Sequence, residues 1–230
     1  MVSCIMVLLS GEAMETVQTR LPRAVAKMTA EGVRLMGSTA QKGNAKFTYA
    51  DYKTWPDDER WEIIDGEAYA MTPAPSLKHQ TITLNLATKL NDYFTNKPCK
   101  PFVAPTDVVL DDLNVVQPDL LVVRDKSKMT DANIQGAPDL VVEVLSPSTS
   151  LKDKREKKAL YERFGVREYL LVYPDDALVE RYSLAEGKYA VADILNWDER
   201  LRLTAFPELE INLWEIFEKE LPQEKPEKEC

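Results

Sequence analysis

Histidine is nearly missing from this 230-residue chain, where His79 stands alone. A single histidine excludes HExxH proteases and histidine-rich metal centres within one chain. Any Ser-His-Asp triad would have to use His79, and no GxSxG turn accompanies it. Cysteine is also scarce. Cys4, Cys99 and Cys230 lie far apart with no CxxC pair, which argues against a thiolate zinc site. Scattered cysteines in odd number fit a reduced, cytoplasmic home. No stretch approaches the ~18 consecutive apolar residues of a spanning helix, so no membrane association is expected. Positive charge is in deficit, with 29 Lys+Arg against 38 Asp+Glu, a net charge of -9 and a pI of about 4.9. That balance speaks against a histone-like coat. It does not exclude a local basic site, because net charge hides distribution.

Apolar residues make up 44% of the chain, enough to build a core. The length suits one domain with appendages. Residues 1–46 read as an N-terminal arm, either an extra helical piece or a start-site extension. Its opening MVSCIMVLLS is apolar but lacks the basic n-region of a signal peptide. The charged, proline-containing stretch 218–230 cannot bury a face and reads as a disordered tail. The folded body is 47–217.

Within the body, Thr48 is placed to cap a short helix over TYADYKTW. WEIIDGEAYAM follows, with Asp65-Gly66 as the turn of a hairpin. Ser76 is placed to cap a helix of about 77–95, with Ile82, Leu86, Leu90 and Tyr93 as its apolar face. FVAPTDVVL, PDLLVVR and DLVVEVL are apolar runs of strand length. A helix over about 151–164 stops at Gly165. EYLLVYP, LVERYSL and KYAVADIL read as further strands. This order predicts an α/β fold, a mixed sheet flanked by helices.

Two of these strands carry an acid where burial is costly. Glu143 sits inside DLVVEVL, and Asp119 opens the strand after Pro118. An ionised carboxylate in such a run must be paired, solvated or bound to a metal. The segment from Leu151 to Arg167 then concentrates positive charge, with seven basic residues against three acidic. At ~100° per residue, Leu160, Tyr161 and Phe164 define an apolar stripe. Asp153 and Lys157 fall on it, while Arg155 and Lys158 point away. An inward lysine either snorkels over apolar surface or pairs with an acid such as Glu143. A third acid, Glu62, opens the WEIIDGE strand; in isolation it suits the solvent face of an alternating strand.

In order, WEIIDGE, QPDLLVV, DLVVEVLSPST, DKREKKALY and GVREYLLVYP resemble the Uma2 family of the PD-(D/E)XK nuclease superfamily, over about residues 47–185. The resemblance implies a restriction-endonuclease-like fold. It matches Asp119 to the aspartate of the PD half-motif and Glu143 to the acid of the (D/E)XK half-motif. Leu145 stands where the superfamily has lysine, a departure that the resemblance fills with Lys157 from the following helix. Glu62 matches the acid of the early strand, Tyr161 a tyrosine beside the site, and His79 a histidine ahead of the long helix's apolar stripe. A histidine merely satisfied in the first helical turn is the bland alternative for His79.

Hard oxygen ligands favour Mg²⁺ or Mn²⁺. Asp119, Glu143 and the backbone carbonyl of Val144 are the expected ligands, with Glu62 a further candidate. Lys157 would orient water or stabilise charge on the phosphate, with Asp153 and Tyr161 in support. Lys154, Arg155 and Lys158 are the expected nucleic-acid contacts. The expected activity is metal-dependent endonucleolytic hydrolysis of DNA by a homodimer, since two cuts need two sites. The alternatives are an inert nucleic-acid-binding or assembly module of the same fold, or a nuclease acting on RNA or branched DNA. A glycosidase using Asp119 and Glu143 is a poorer fit.

Overall fold

The computed structural model describes residues 33–36, 39–42, 46–56, 58–71, 74–146 and 153–221. Cys4, Cys230, Lys152, most of the arm and most of the tail lie outside them. Two strands fall within the arm, β1 Val33–Met36 and β2 Thr39–Lys42, and β2 pairs onward to the hairpin described next.

Thr48 caps the short helix α1, Tyr49–Tyr52, through a capping box: its hydroxyl accepts the Asp51 N–H, and the Asp51 carboxylate accepts the Thr48 N–H at 2.9 Å. The hairpin forms as the sequence predicts, from β3 Trp61–Ile64 and β4 Glu67–Ala70. Asp65 and Gly66 both take positive φ, 51° and 78°, as a type I′ turn requires. Helix α2, Leu77–Phe94, starts at the Ser76 cap. Its buried face is Ile82, Leu86, Leu90 and Phe94; Tyr93 only flanks that core.

FVAPTDVVL is not one strand. It divides into β5 Lys100–Val103 and β6 Val108–Asp111, which belong to different sheets. Pro105 brings no N–H to a ladder, and Thr106 Oγ1 turns the chain by donating to Val103 O at 2.7 Å. β7 Asn114–Val116, too short to stand out in the sequence, completes a hairpin with β6. Then come β8 Leu120–Val123, β9 Ile134–Gln135 and β10 Leu140–Val144. KYAVADIL also divides. After β11 Glu168–Tyr173 and β12 Leu178–Ala185, it yields β13 Lys188–Tyr189 and β14 Asp193–Asn196. β15 Arg200–Arg202 and β16 Glu210–Asn212 form a small ribbon.

Two sheets result, ordered β1-β2-β4-β3-β7-β6-β9 and β13-β12-β11-β10-β8-β5. Both are mixed, because β10 runs parallel to β11 and antiparallel to β8, and β6 runs parallel to β9. The chain crosses from the first sheet to the second through Gln117, Pro118 and Asp119, between β7 and β8. β10 is buried at every position, as expected for a central strand covered on both faces. Leu140, Val142 and Val144 pack with α2. Val141 packs on the opposite side with Leu160, Tyr161 and Tyr169. Alternation therefore directs Glu143 to the second face.

Among the described residues of the predicted helix 151–164, the α-helical part is α3, Lys158–Phe164. A π-helical turn, Asp153–Lys157, precedes it. Gly165 ends α3 in the left-handed conformation, at φ 79°. Helix α4, Leu213–Ile216, closes over the α2 side of the core. Among the described residues no helix is long and apolar enough to cross a membrane.

Candidate active site

The antiparallel register of β8 on β10 pairs Val142 with Leu120; one further step sets Glu143 across from Asp119. A hydrogen bond fixes that step, with Val144 N–H donating to Asp119 Oδ2 at 2.8 Å. On the other side Ala104 N–H donates to the Asp119 carbonyl at 3.0 Å. Asp119 is thus seated on two neighbouring strands, and its side chain keeps 22% of its surface in solvent.

Glu143 is almost fully enclosed. Its Oε1 accepts from Lys157 Nζ at 2.8 Å and from the Tyr161 hydroxyl at 2.9 Å. Lys157 also lies 2.7 Å from Glu62 Oε1 and 3.5 Å from Asp153 Oδ1, with 3% of its side chain exposed. The lysine therefore does not snorkel. It joins β3 of one sheet to β10 of the other. Glu62 is wholly buried rather than solvent-facing, which corrects the reading of its strand taken alone. The π-helical turn brings Asp153 and Lys157, four residues apart, to the same inward side. Such turns recur at functional sites.

Electrostatics follow from this enclosure. Burial opposes charge on Lys157, but Glu143, Glu62 and Asp153 together hold its pKa well above the usual lysine value. Glu143 is also pushed well above the carboxylate range. Burial is the largest cause, Lys157 works against it, and Asp153, Asp119 and Glu62 add to it. Burial and Glu143 raise Tyr161 likewise. The cluster carries more carboxylate than its one ammonium offsets.

His79 joins the site as well as the helix cap. Its N–H donates to Ser76 Oγ at 3.2 Å, and its Nε2 lies 3.2 Å from Asp119 Oδ2. Of the predicted nucleic-acid contacts, Lys154 and Arg155 are exposed and Lys158 is half-buried. Lys154 Nζ stands 4.5 Å from the centre of the Tyr173 ring and Lys158 Nζ 4.0 Å from that of Tyr182. All three lie on the outward side of the segment.

Sequence reasoning missed Gln117. Its backbone N–H donates to Glu62 Oε1 at 3.0 Å. Its side chain donates to Asp107 Oδ1 at 2.8 Å and to the Tyr52 hydroxyl at 3.1 Å, and accepts from Arg60 Nε at 2.9 Å. The available signal was its place directly before Pro118-Asp119.

Whether these residues fit a metal can be judged from the donors. Among the described residues Glu143 Oε2 and Asp119 Oδ1 accept no hydrogen bond; the Asp119 side chain keeps 22% of its surface in solvent and that of Glu143 only 4%. Among the described residues no group of three or more His, Cys, Asp or Glu stands ready to cage an ion. Two carboxylates with one open oxygen each suit Mg²⁺, which takes one or two carboxylates and completes its shell with water and phosphate. They do not suit a closed structural zinc site.

Comparison with known proteins agrees with this architecture. The chain is 29% identical over 143 residues to uncharacterized protein slr1290 of Synechocystis sp., a match spanning 60% of this chain and 74% of that protein. It is 32% identical over 130 residues to uncharacterized protein sll1609 of the same organism, covering 54% of this chain and 72% of that one. A crystal structure of a putative nuclease belonging to DUF820 from Anabaena variabilis superposes with a TM-score of 0.62 at 20% identity, covering 75% of this chain and 98% of that one. That likeness shows a shared fold, the restriction-endonuclease-like arrangement of a mixed sheet flanked by helices. The family model described as "Uma2: Putative restriction endonuclease" matches residues 49–214, and the chain belongs to the Uma2 family.

Proposed function

We propose that this protein is a metal-dependent endonuclease that hydrolyses phosphodiester bonds in DNA, and that the unit carrying the activity spans residues 47–217. The observation that carries the reading is the pairing of Asp119 with Glu143 across adjacent strands, one oxygen open on each, beside the buried Lys157. Family membership supports nucleic acid as the substrate class.

Asp119 and Glu143 would hold a Mg²⁺ or Mn²⁺ ion, with the Val144 carbonyl as a further ligand. The ion, when bound, supplies Lewis-acid charge to the scissile phosphate. The chain's own residues set the geometry around it. Val144 N–H and His79 fix Asp119 Oδ2, which presents Oδ1. Lys157 and Tyr161 fix Glu143 Oε1, which presents Oε2. The Gln117 backbone and Lys157 hold Glu62 behind them. Lys154, Arg155 and Lys158 would meet the phosphate backbone over a small footprint, so binding is weak, salt-sensitive and metal-assisted. One such site cuts one strand, so duplex cleavage calls for a homodimer, which sedimentation would detect.

The test is plasmid nicking by purified protein in Mg²⁺ or Mn²⁺. Wild type nicks the plasmid; Glu143→Ala and Lys157→Ala do not. Equal cutting by wild type and Glu143→Ala would mark the activity as contamination and end the proposal. Parallel assays on single-stranded DNA and RNA decide the substrate. A folded wild type that binds DNA without cutting any substrate would establish the inert module instead.

A further inference from the structure

Strand β3 leaves the interior at its first end. Alternation sends Ile63 to the outer core with Val109 and Val115, and Ile64 to the core that holds Tyr161 and Tyr169. Glu62 shares the inner face with Ile64 and is wholly buried. The hairpin ladder runs one residue past β3, because the Arg60 carbonyl accepts the Met71 N–H at 2.9 Å. Arg60 therefore belongs to the Glu62 face, one strand period away, or about 7 Å. Unlike Glu62 it is exposed, so it stands at the rim of the acid cluster.

The guanidinium is held in a fixed direction. Arg60 Nε donates to Gln117 Oε1 at 2.9 Å. The other end of that buried amide donates to Asp107 Oδ1 at 2.8 Å and to the Tyr52 hydroxyl at 3.1 Å. Two acceptors on the Nε2 side leave Oε1 as the group turned to Arg60. Gln117 also holds Glu62 through its N–H and precedes Pro118-Asp119. One short segment thus ties Arg60 to both acids.

Its charge is uncompensated. Arg163, Arg181, Arg200 and Arg202 each sit against a carboxylate. Arg60 sits against a neutral amide and makes no ion pair among the described residues. Only Nε is engaged, and the N–H groups on its two Nη nitrogens bond nothing among those residues. A guanidinium presents its donors as a planar fork that matches two phosphate oxygens.

We propose that Arg60 contacts the substrate backbone, donating through its Nη groups to the non-bridging oxygens of a phosphate near the scissile one. The inference rests on the nucleic-acid substrate of the reading above. Such a contact positions the strand and reads no base.

The experiment follows a fluorescent DNA duplex by anisotropy, in EDTA to stop cutting, over a series of salt concentrations. Arg60→Ala should bind more weakly than wild type. Its plot of log affinity against log salt should be shallower by about one unit, the loss of one phosphate contact. Arg60→Lys keeps the charge and should keep the slope. Arg200→Ala, which removes an arginine paired with Glu210, should leave affinity and slope unchanged. In plasmid nicking with Mn²⁺, Arg60→Ala should raise KM about tenfold with kcat little changed, because the contact is made equally before and during reaction. If Arg60→Ala is recovered unfolded, Arg60→Gln, which still offers Gln117 a donor, should show the same shallower slope.

Equal slope and affinity in wild type and Arg60→Ala, with wild type still nicking, would overturn the inference and leave the nuclease reading intact. So would a lower kcat at unchanged slope, which would make Arg60 a brace for Gln117 alone. Wild type that binds duplex without cutting any substrate, with the shallower slope in Arg60→Ala, would do the reverse: the contact stands and the nuclease reading falls.

Discussion

Glu62 and Lys157 meet at 2.7 Å, an acid from the first sheet and a lysine from the turn that follows the central strand of the second. With Glu143 on the other side of the same ammonium, the pair locks two sheets around one buried charge. Removing the lysine leaves buried carboxylates without their partner, which typically costs about 3–5 kcal/mol. Urea denaturation of Lys157→Met in EDTA should show a loss of that order. Lys78→Ala, which breaks the exposed pair with Asp175, should lose less than about 1 kcal/mol. Comparable losses in the two variants would mean that Lys157 is not an internal counter-ion.

Asp119→Asn and Glu143→Gln keep the size of each side chain and remove its charge. Both variants should remain folded, yet Mn²⁺-dependent cleavage should fall at least about 100-fold, the scale of removing one electrostatic stabiliser. EDTA should abolish wild-type cutting to the same floor. Circular dichroism alongside the nicking assay separates lost chemistry from lost structure. Retention of full cleavage by either variant would remove that carboxylate from the site.

Much of this arrangement is legible in the sequence because it breaks local rules. Glu143 inside an apolar strand and Lys157 on an apolar helical stripe each signal a buried charge, and the structure joins them at 2.8 Å. The type I′ turn at Asp65-Gly66 and the caps at Thr48 and Ser76 depend on neighbours in the chain, so they too can be read locally. What escapes is set by long-range pairing. Glu62 looks solvent-facing in an alternating strand, and only packing of the two sheets buries it. Gln117 holds Glu62 through a backbone N–H, which leaves no trace in side-chain pattern. FVAPTDVVL has continuous β-propensity, yet a turn at Val103–Thr106 sends its halves to separate sheets. The π-helical turn hides because its residues still read as helix formers.

Tyr161 donates its hydroxyl to Glu143 Oε1 at 2.9 Å inside the core. Hydrogen bonds to charged groups contribute about 1.5–3 kcal/mol. Tyr161→Phe deletes the donor while keeping the ring and its edge contact with Tyr169, whose centroid lies 5.0 Å away. Chemical denaturation should therefore register a loss within that range, and cleavage should fall less than in Glu143→Gln because Lys157 still holds the same oxygen. A fully stable Tyr161→Phe would show that the hydroxyl gains nothing from the carboxylate.

His79 provides a pH signature. Burial opposes the imidazolium, but the hydrogen bond and charge of Asp119, joined by the Val144 backbone and Asp153, outweigh it and raise the pKa above its ordinary value of 6.5. The folded protein then holds this proton more tightly than the unfolded chain. The stabilisation is fully present below the unfolded value and is lost as pH rises through the raised folded value. In EDTA, which keeps competing cations off Asp119, the urea midpoint of wild type should decline across that window. His79→Asn, which has no titrating ring, should show a flatter profile, so the difference between the two curves isolates the pair. A difference that grows with pH would reverse the sign of the linkage and show that burial, not Asp119, governs the histidine.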